Sequence, residues 1–277
     1  MNKSRIWICL AAVLSAREVH ASGHGPVFGA ATPTLGRGGW SIDQAYTFRG
    51  GDDDAQQMFK TMVSFGITET VQVSGSIPLA MADGLTPSRM MSAMSSEREF
   101  EGLLAYRFQK RTIGIGGRQE STLYVGGTVP MESERYGAAV GPSLVIQAAT
   151  GYASRSHYVW FGGGVQQFLE RGGDRQGSSR FLTAVYGYRP PRMRVEPGKP
   201  DLRFFVEATA ENRTATQVAD VDVDQDARTM FVGPTSLLVY KAIAVEGGVL
   251  FPVYQRANQV KERVRVAVNF AYFFWLK

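Results

Sequence analysis

Between 263 and 274 the chain alternates. Val264, Val266, Val268, Phe270, Tyr272 and Phe274 are apolar or aromatic, while the intervening set is Arg263, Arg265, Ala267, Asn269, Ala271 and Phe273. A period of two belongs to an extended strand whose two faces meet different surroundings. Along 100–108, Phe100, Gly102, Leu104, Tyr106 and Phe108 oppose Glu101, Leu103, Ala105 and Arg107. Along 202–211, Leu202, Phe204, Val206, Ala208 and Ala210 oppose Arg203, Phe205, Glu207, Thr209 and Glu211. Segments 157–168 and 229–239 alternate poorly. Helical spacing of apolar residues is absent from every long window, so the pattern predicts an all-β chain.

Clusters of Gly, Pro, Asp and Ser divide the chain into twelve predicted strands: 39–49, 57–67, 70–80, 98–110, 119–131, 136–149, 156–168, 178–189, 201–211, 227–239, 242–254 and 261–274. Each has about 10 to 14 residues, enough at roughly 3.3 Å per residue and a tilt near 45° to cross an apolar band of roughly 25 Å. Strands of soluble sandwiches are typically about half as long. The connections at 50–56, 81–97, 132–135, 169–177, 212–226 and 255–260 fall on one side, opposite very short links at Thr68-Glu69 and Tyr240-Lys241. Only 190–200 is long on the short side. Long loops alternating with short turns predict a closed antiparallel transmembrane β-barrel of about twelve strands over 39–277. The alternative is a soluble sandwich or lipocalin-like barrel with arginines toward water and aromatics in the core.

In the membrane reading, closure leaves no unpaired strand edge in hydrocarbon. The even positions of the last strand then face lipid. On the assigned phases Asp43, Glu101, Arg107, Arg203, Glu207, Glu246, Arg263 and Arg265 project into a polar lumen. Eight strands leave a filled interior and 16 to 18 an open channel, so twelve sits between.

At 277 residues, 44% of them hydrophobic, the chain can build a sizeable core. Its N-terminus reads as an export signal over 1–21: Lys3 and Arg5 precede an apolar run from Ile6 to Ala16, and Val19-His20-Ala21 is a small-x-small site. That run is too short to span a bilayer. Cleavage would remove Cys9, the only cysteine, and with it thiolate metal sites, disulfides and cysteine nucleophiles. A formal charge of +5 does not point to nucleic acid, because the basic residues are scattered along strands without a basic helix or aromatic RNA-binding run. The Gly- and Pro-rich stretch 22–38 before the first strand is expected to enter the barrel in part as a plug, or to hang free in the periplasm.

The segments 24–43, 65–79, 100–108 and 233–255 and the closing run 267–274 resemble the outer-membrane proteins of the MetA-pathway phenol-degradation family. The likeness covers most of the mature chain. It implies an outer-membrane barrel with solute passage and no particular substrate. Outer-membrane lipids, lipopolysaccharide and the barrel assembly machinery, through the C-terminal strand, are the expected partners. Trp275-Leu276-Lys277 extends past Phe274, where barrels of this kind often stop.

Chemistry-bearing motifs are few. The glycine turn 114–117 precedes no helix, which argues against a phosphate loop. The acidic run 220–226 starts like a calcium loop but has Gln225 at the glycine position and Phe231 at that of the bidentate Glu. Of the histidines left after cleavage, His157 sits beside Tyr158 and Trp160 in an interfacial aromatic setting and His24 near the new terminus. A lipid-modifying enzyme therefore lacks a motif. Met81, Met90, Met91 and Met94 cluster in a predicted external loop, and thioethers select Cu(I). Ser22-Gly23-His24 would offer a square-planar Cu(II) site if cleavage falls after Ala21. The sequence thus predicts a narrow channel for small solutes, with copper capture as an added possibility. The competing reading is a non-conducting structural or adhesion barrel sealed by its own charges.

Overall fold

The computed structural model describes residues 17–18, 25–51, 55–82, 99–135, 138–193, 199–223, 226–256 and 261–276. These form twelve long strands: β1 Gly39–Gly51, β2 Ala55–Gly66, β3 Val71–Ala82, β4 Glu99–Ile113, β5 Gly117–Pro130, β6 Ser143–Ala153, β7 His157–Phe168, β8 Ser179–Tyr188, β9 Asp201–Arg213, β10 Ala227–Tyr240, β11 Ile243–Arg256 and β12 Glu262–Trp275. Each is antiparallel to its neighbours in sequence, and β12 returns to β1 from Glu262 opposite Gly51 to Trp275 opposite Gly39. The sheet is a closed barrel without an open edge along its strands.

Burial follows the period of two. On β4, Glu101, Ala105 and Arg107 are buried, while Phe100, Leu104, Tyr106 and Phe108 lie exposed. On β9, Phe205 and Glu207 are buried between the exposed Phe204 and Val206. The outside carries a band of exposed Val, Ile, Leu, Phe and Tyr, and the polar and charged side chains are inside. This inverts a soluble barrel and matches a hydrocarbon surround.

At one end four of the five links are short, and residues 189–200, between β8 and β9, are the long exception. Residues 67–70 join β2 to β3, 114–116 join β4 to β5, 154–156 join β6 to β7, and Lys241-Ala242 joins β10 to β11. Gly114 and Gly116 have φ of 59° and 81°, the left-handed region that a side chain disfavours, which explains the glycines of that turn. The Ser154 hydroxyl closes the 154–156 turn by accepting from the His157 amide at 2.9 Å.

Three expectations are corrected. The strand predicted over 136–149 runs over Ser143–Ala153, because Pro142 precedes it and 138–139 pair with 134–135 in a separate small hairpin. Met81 belongs to β3, with its Cα opposite Met58, and not to the loop. Arg263 does not face the lumen: the β12–β1 register shifts between Glu262 and Val264, which turns Arg263 outward and buries Glu262. The extra residue of such a bulge reverses the alternation beyond it.

Candidate functional site: the lumen

Residues 25–35, ahead of β1, lie inside the barrel. Val27 and Phe28 are fully buried and pack with Ala45, Phe231, Leu250 and Ala267 from β1, β10, β11 and β12. Their amides donate to the two carboxylate oxygens of Glu207, at 2.7 and 2.8 Å. Thr235 donates its hydroxyl to the same carboxylate at 2.6 Å. A fully buried carboxylate with three donors is anchored as well as anchoring, since a lost partner would leave charge uncompensated. Farther along, Tyr124 and Thr122 donate to the carbonyls of Ala31 and Thr32, and the Leu35 amide donates to Gln72 at 2.8 Å. The segment therefore descends from mid-lumen to the short-turn end, where Gly38 turns it into β1.

Charged side chains surround it in tiers. At mid-height the Asn269 amide donates to Glu246 at 2.9 Å and to Asp43 at 3.3 Å, and Ser41 also donates to Asp43. Toward the long-loop end Lys60 pairs with Glu101 at 3.1 Å. Beside it Arg49 pairs with Glu262, and Arg265 bonds Glu262 through Nε at 2.7 Å and reaches Glu211 at 3.8 Å. The Arg265 guanidinium lies 3.9 Å from the centre of the Phe231 ring. Toward the short-turn end Arg107 pairs with Glu120 at 3.0 Å and donates to the Glu69 carbonyl at 2.6 Å.

A vestibule of about 470 Å³ opens at that end, lined by Arg118, Arg189, Arg203, Glu120, Tyr158 and Trp160 among others. Asp201 bonds Arg189 at 3.0 Å and also Arg203. Both guanidinium groups sit near the Tyr158 ring, at 5.7 and 5.0 Å from its centre. Tyr158 stacks on Trp160, and Phe205 meets Trp160 edge-on. Glycines make room for these rings: a Cβ on Gly151 would collide with the Trp160 indole, and one on Gly187 with Phe205.

The structure thus brings Asp43, Glu101, Arg107, Glu207, Glu246 and Arg265 to the buried interior, with Arg203 half-buried at the vestibule and Arg263 outside. The sequence pattern did not single out Arg49, Lys60, Glu99, Glu120, Asp201 and Glu262, and it placed Glu211 on the polar face without assigning it to the lumen. Parity would have found some of them, since Arg49 shares the phase of Asp43 and Glu99 that of Glu101. His157 faces outward and hydrogen-bonds the Tyr186 hydroxyl at 2.9 Å, beside Tyr188. His24, Met90, Met91 and Met94 lie outside the described residues.

Twelve long strands closed on themselves, apolar outside and polar within, define an outer-membrane-type β-barrel. No protein-family model matches the chain, and no curated relative matches it either. Among solved structures it is similar to an outer membrane channel from Pseudomonas putida F1, at 13% identity and a TM-score of 0.62, with 88% of this chain and 98% of that chain covered. The NanC porin gives 7% identity and a TM-score of 0.47 over 84% of this chain and 98% of that one. The likeness to the Pseudomonas channel is one of fold.

Proposed function

We propose that the protein is an outer-membrane channel for small solutes, with its lumen narrowed by residues 25–36. The observation that carries this reading is the anchoring of Val27 and Phe28 to Glu207 in mid-lumen, which leaves a cavity of about 120 Å³ between the segment and the β1–β4 wall. Twelve strands enclose more space than side chains alone fill and less than an open porin. Small solutes pass beside the segment and large ones do not. The family suggested by the sequence likeness, the MetA-pathway phenol-degradation proteins, agrees with solute passage. Long loops face outside and short turns face the periplasm, as in barrels of this type.

The test is planar-bilayer conductance and liposome swelling of the folded full-length protein. Absence of both sinks the channel reading. A second reading, a sealed structural barrel, has one observation in its favour: the Arg49–Glu262–Arg265–Glu211 cluster bridges β1, β12 and β9 across the outer end of the lumen. Under that reading wild-type protein is silent and Arg265→Ala conducts.

A further inference from the structure

One row on the outside of the barrel carries three arginines; Asp222 and Asp226 line a neighbouring cavity with Arg180 but do not pair with it. Arg180 on β8 is paired with Asn212 on β9, Asn212 with Arg228 on β10, and Arg228 with Arg256 on β11. The three arginines are exposed and point away from the lumen, at the long-loop ends of their strands. Among the described residues none of the three has an ion-pair or side-chain hydrogen-bond partner. Neighbouring strands lie about 4.8 Å apart, and like charges placed directly opposite each other repel. Arg228 opposite Arg256 is such a pair. A bulge between Met230 and Phe231 brings them into this register. The row asks for an anion from outside the chain.

Directly below it the surface becomes apolar. The next outward layer is Leu182, Ala210, Met230 and Tyr254, in the same strand order and register. The short side chain of Ala210 between Leu182 and Met230 leaves an apolar groove of about 530 Å³, which is open to the membrane side and rimmed by Arg180 and Arg228. A cationic rim over an apolar groove, at the outer boundary of the hydrocarbon band, matches a molecule with phosphate above and acyl chain below.

We propose that this face, Arg180, Asn212, Arg228 and Arg256 above Leu182, Ala210, Met230 and Tyr254, is a binding site for a phosphorylated, acylated lipid of the outer leaflet. The arginines hold the phosphates and the Ala210 groove seats an acyl chain. The proposal rests on the outer-membrane placement and orientation given above and not on conductance, so the two fail separately.

The test titrates purified full-length barrel in detergent, with chelator present, against diphosphorylated lipid A, its dephosphorylated form and inorganic phosphate. Folding is checked by heat-modifiable mobility. Wild type should prefer the phosphorylated lipid. Arg180→Gln, Arg228→Gln and Arg256→Gln combined should weaken that binding roughly 100-fold and leave the dephosphorylated form unchanged. Ala210→Leu, which fills the groove, should weaken both lipids. If the triple variant does not fold, Arg228→Gln alone should cost roughly fivefold. Equal affinity of wild type for the two lipids, or equal binding by wild type and the folded variant, overturns the site. Competition by inorganic phosphate at the concentration of the lipid overturns the lipid assignment.

Discussion

Replacing Glu207 by Gln should release the first turn of the luminal segment. Burial of Val27 and Phe28 contributes roughly 3 to 6 kcal/mol together. Ordering the backbone of residues 25–29 costs about 1 to 2 kcal/mol for each residue. Over five residues that is about 5 to 10 kcal/mol, more than the burial supplies, so the hydrogen bonds to Glu207 decide whether the segment stays. Each amide bond to a Glu207 carboxyl oxygen is worth about 0.5 to 3 kcal/mol, the upper part of that range for the ionised group. Gln keeps one acceptor oxygen and presents an NH2 to the other amide, a donor against a donor. The loss of about 2 to 3 kcal/mol shifts the seated-to-released ratio roughly 30- to 150-fold. Single-channel recordings should then show intermittent steps to a higher level in Glu207→Gln, below the steady level of a variant lacking 24–36. Identical traces from wild type and Glu207→Gln, with the deletion variant open, would refute the anchoring role. An unchanged conductance in the deletion variant would refute the constriction itself.

Other outcomes are as specific. Arg265→Ala strips Glu262 and Glu211 of their shared buried cation, so it should destabilise the barrel by about 3 to 5 kcal/mol; the readout is the midpoint of urea unfolding followed by heat-modifiable mobility. Arg263→Ala, on the outside beyond the bulge, should change stability by no more than about 1 kcal/mol and leave conductance alone, in contrast to Arg265→Ala. Gly151→Ala forces the Trp160 indole aside and should cost roughly 1 to 3 kcal/mol, with a shift in tryptophan emission as the direct sign.

Strand parity made much of the architecture legible before any coordinates. Glu101 and Arg107 on β4, and Glu207 on β9, lie on the buried face that their odd positions predict. Parity failed at Arg263 because Glu262 is drawn inward by Arg49 and Arg265, partners that local alternation does not contain. The β6 boundary slipped because 137–142 is made of small residues, Val140 and Pro142, which carry little periodic signal. The seat of the luminal segment was harder still. Residues 25–36 adopt no strand, and their path is set by side chains distributed around the wall. Glu207 was readable as lumen-facing, but nothing local marks Val27 and Phe28, 180 and 179 residues away, as its partners.

That separation has a consequence for how the molecule is assembled. Along the segment from its β1 end to its tip, the partners are Gln72 at Leu35, Thr122 and Trp160 at Thr32, Tyr124 at Ala31 and finally Glu207 at Phe28 and Val27. The tip, earliest in the chain, has the partner farthest from it in sequence, on β9. Contacts of such long sequence separation form late, because the loop between them must be closed first. The contact of the segment's tip with Glu207 is therefore expected among the last to form. Because β12 pairs with β1, the seated segment is enclosed on every side by a continuous wall.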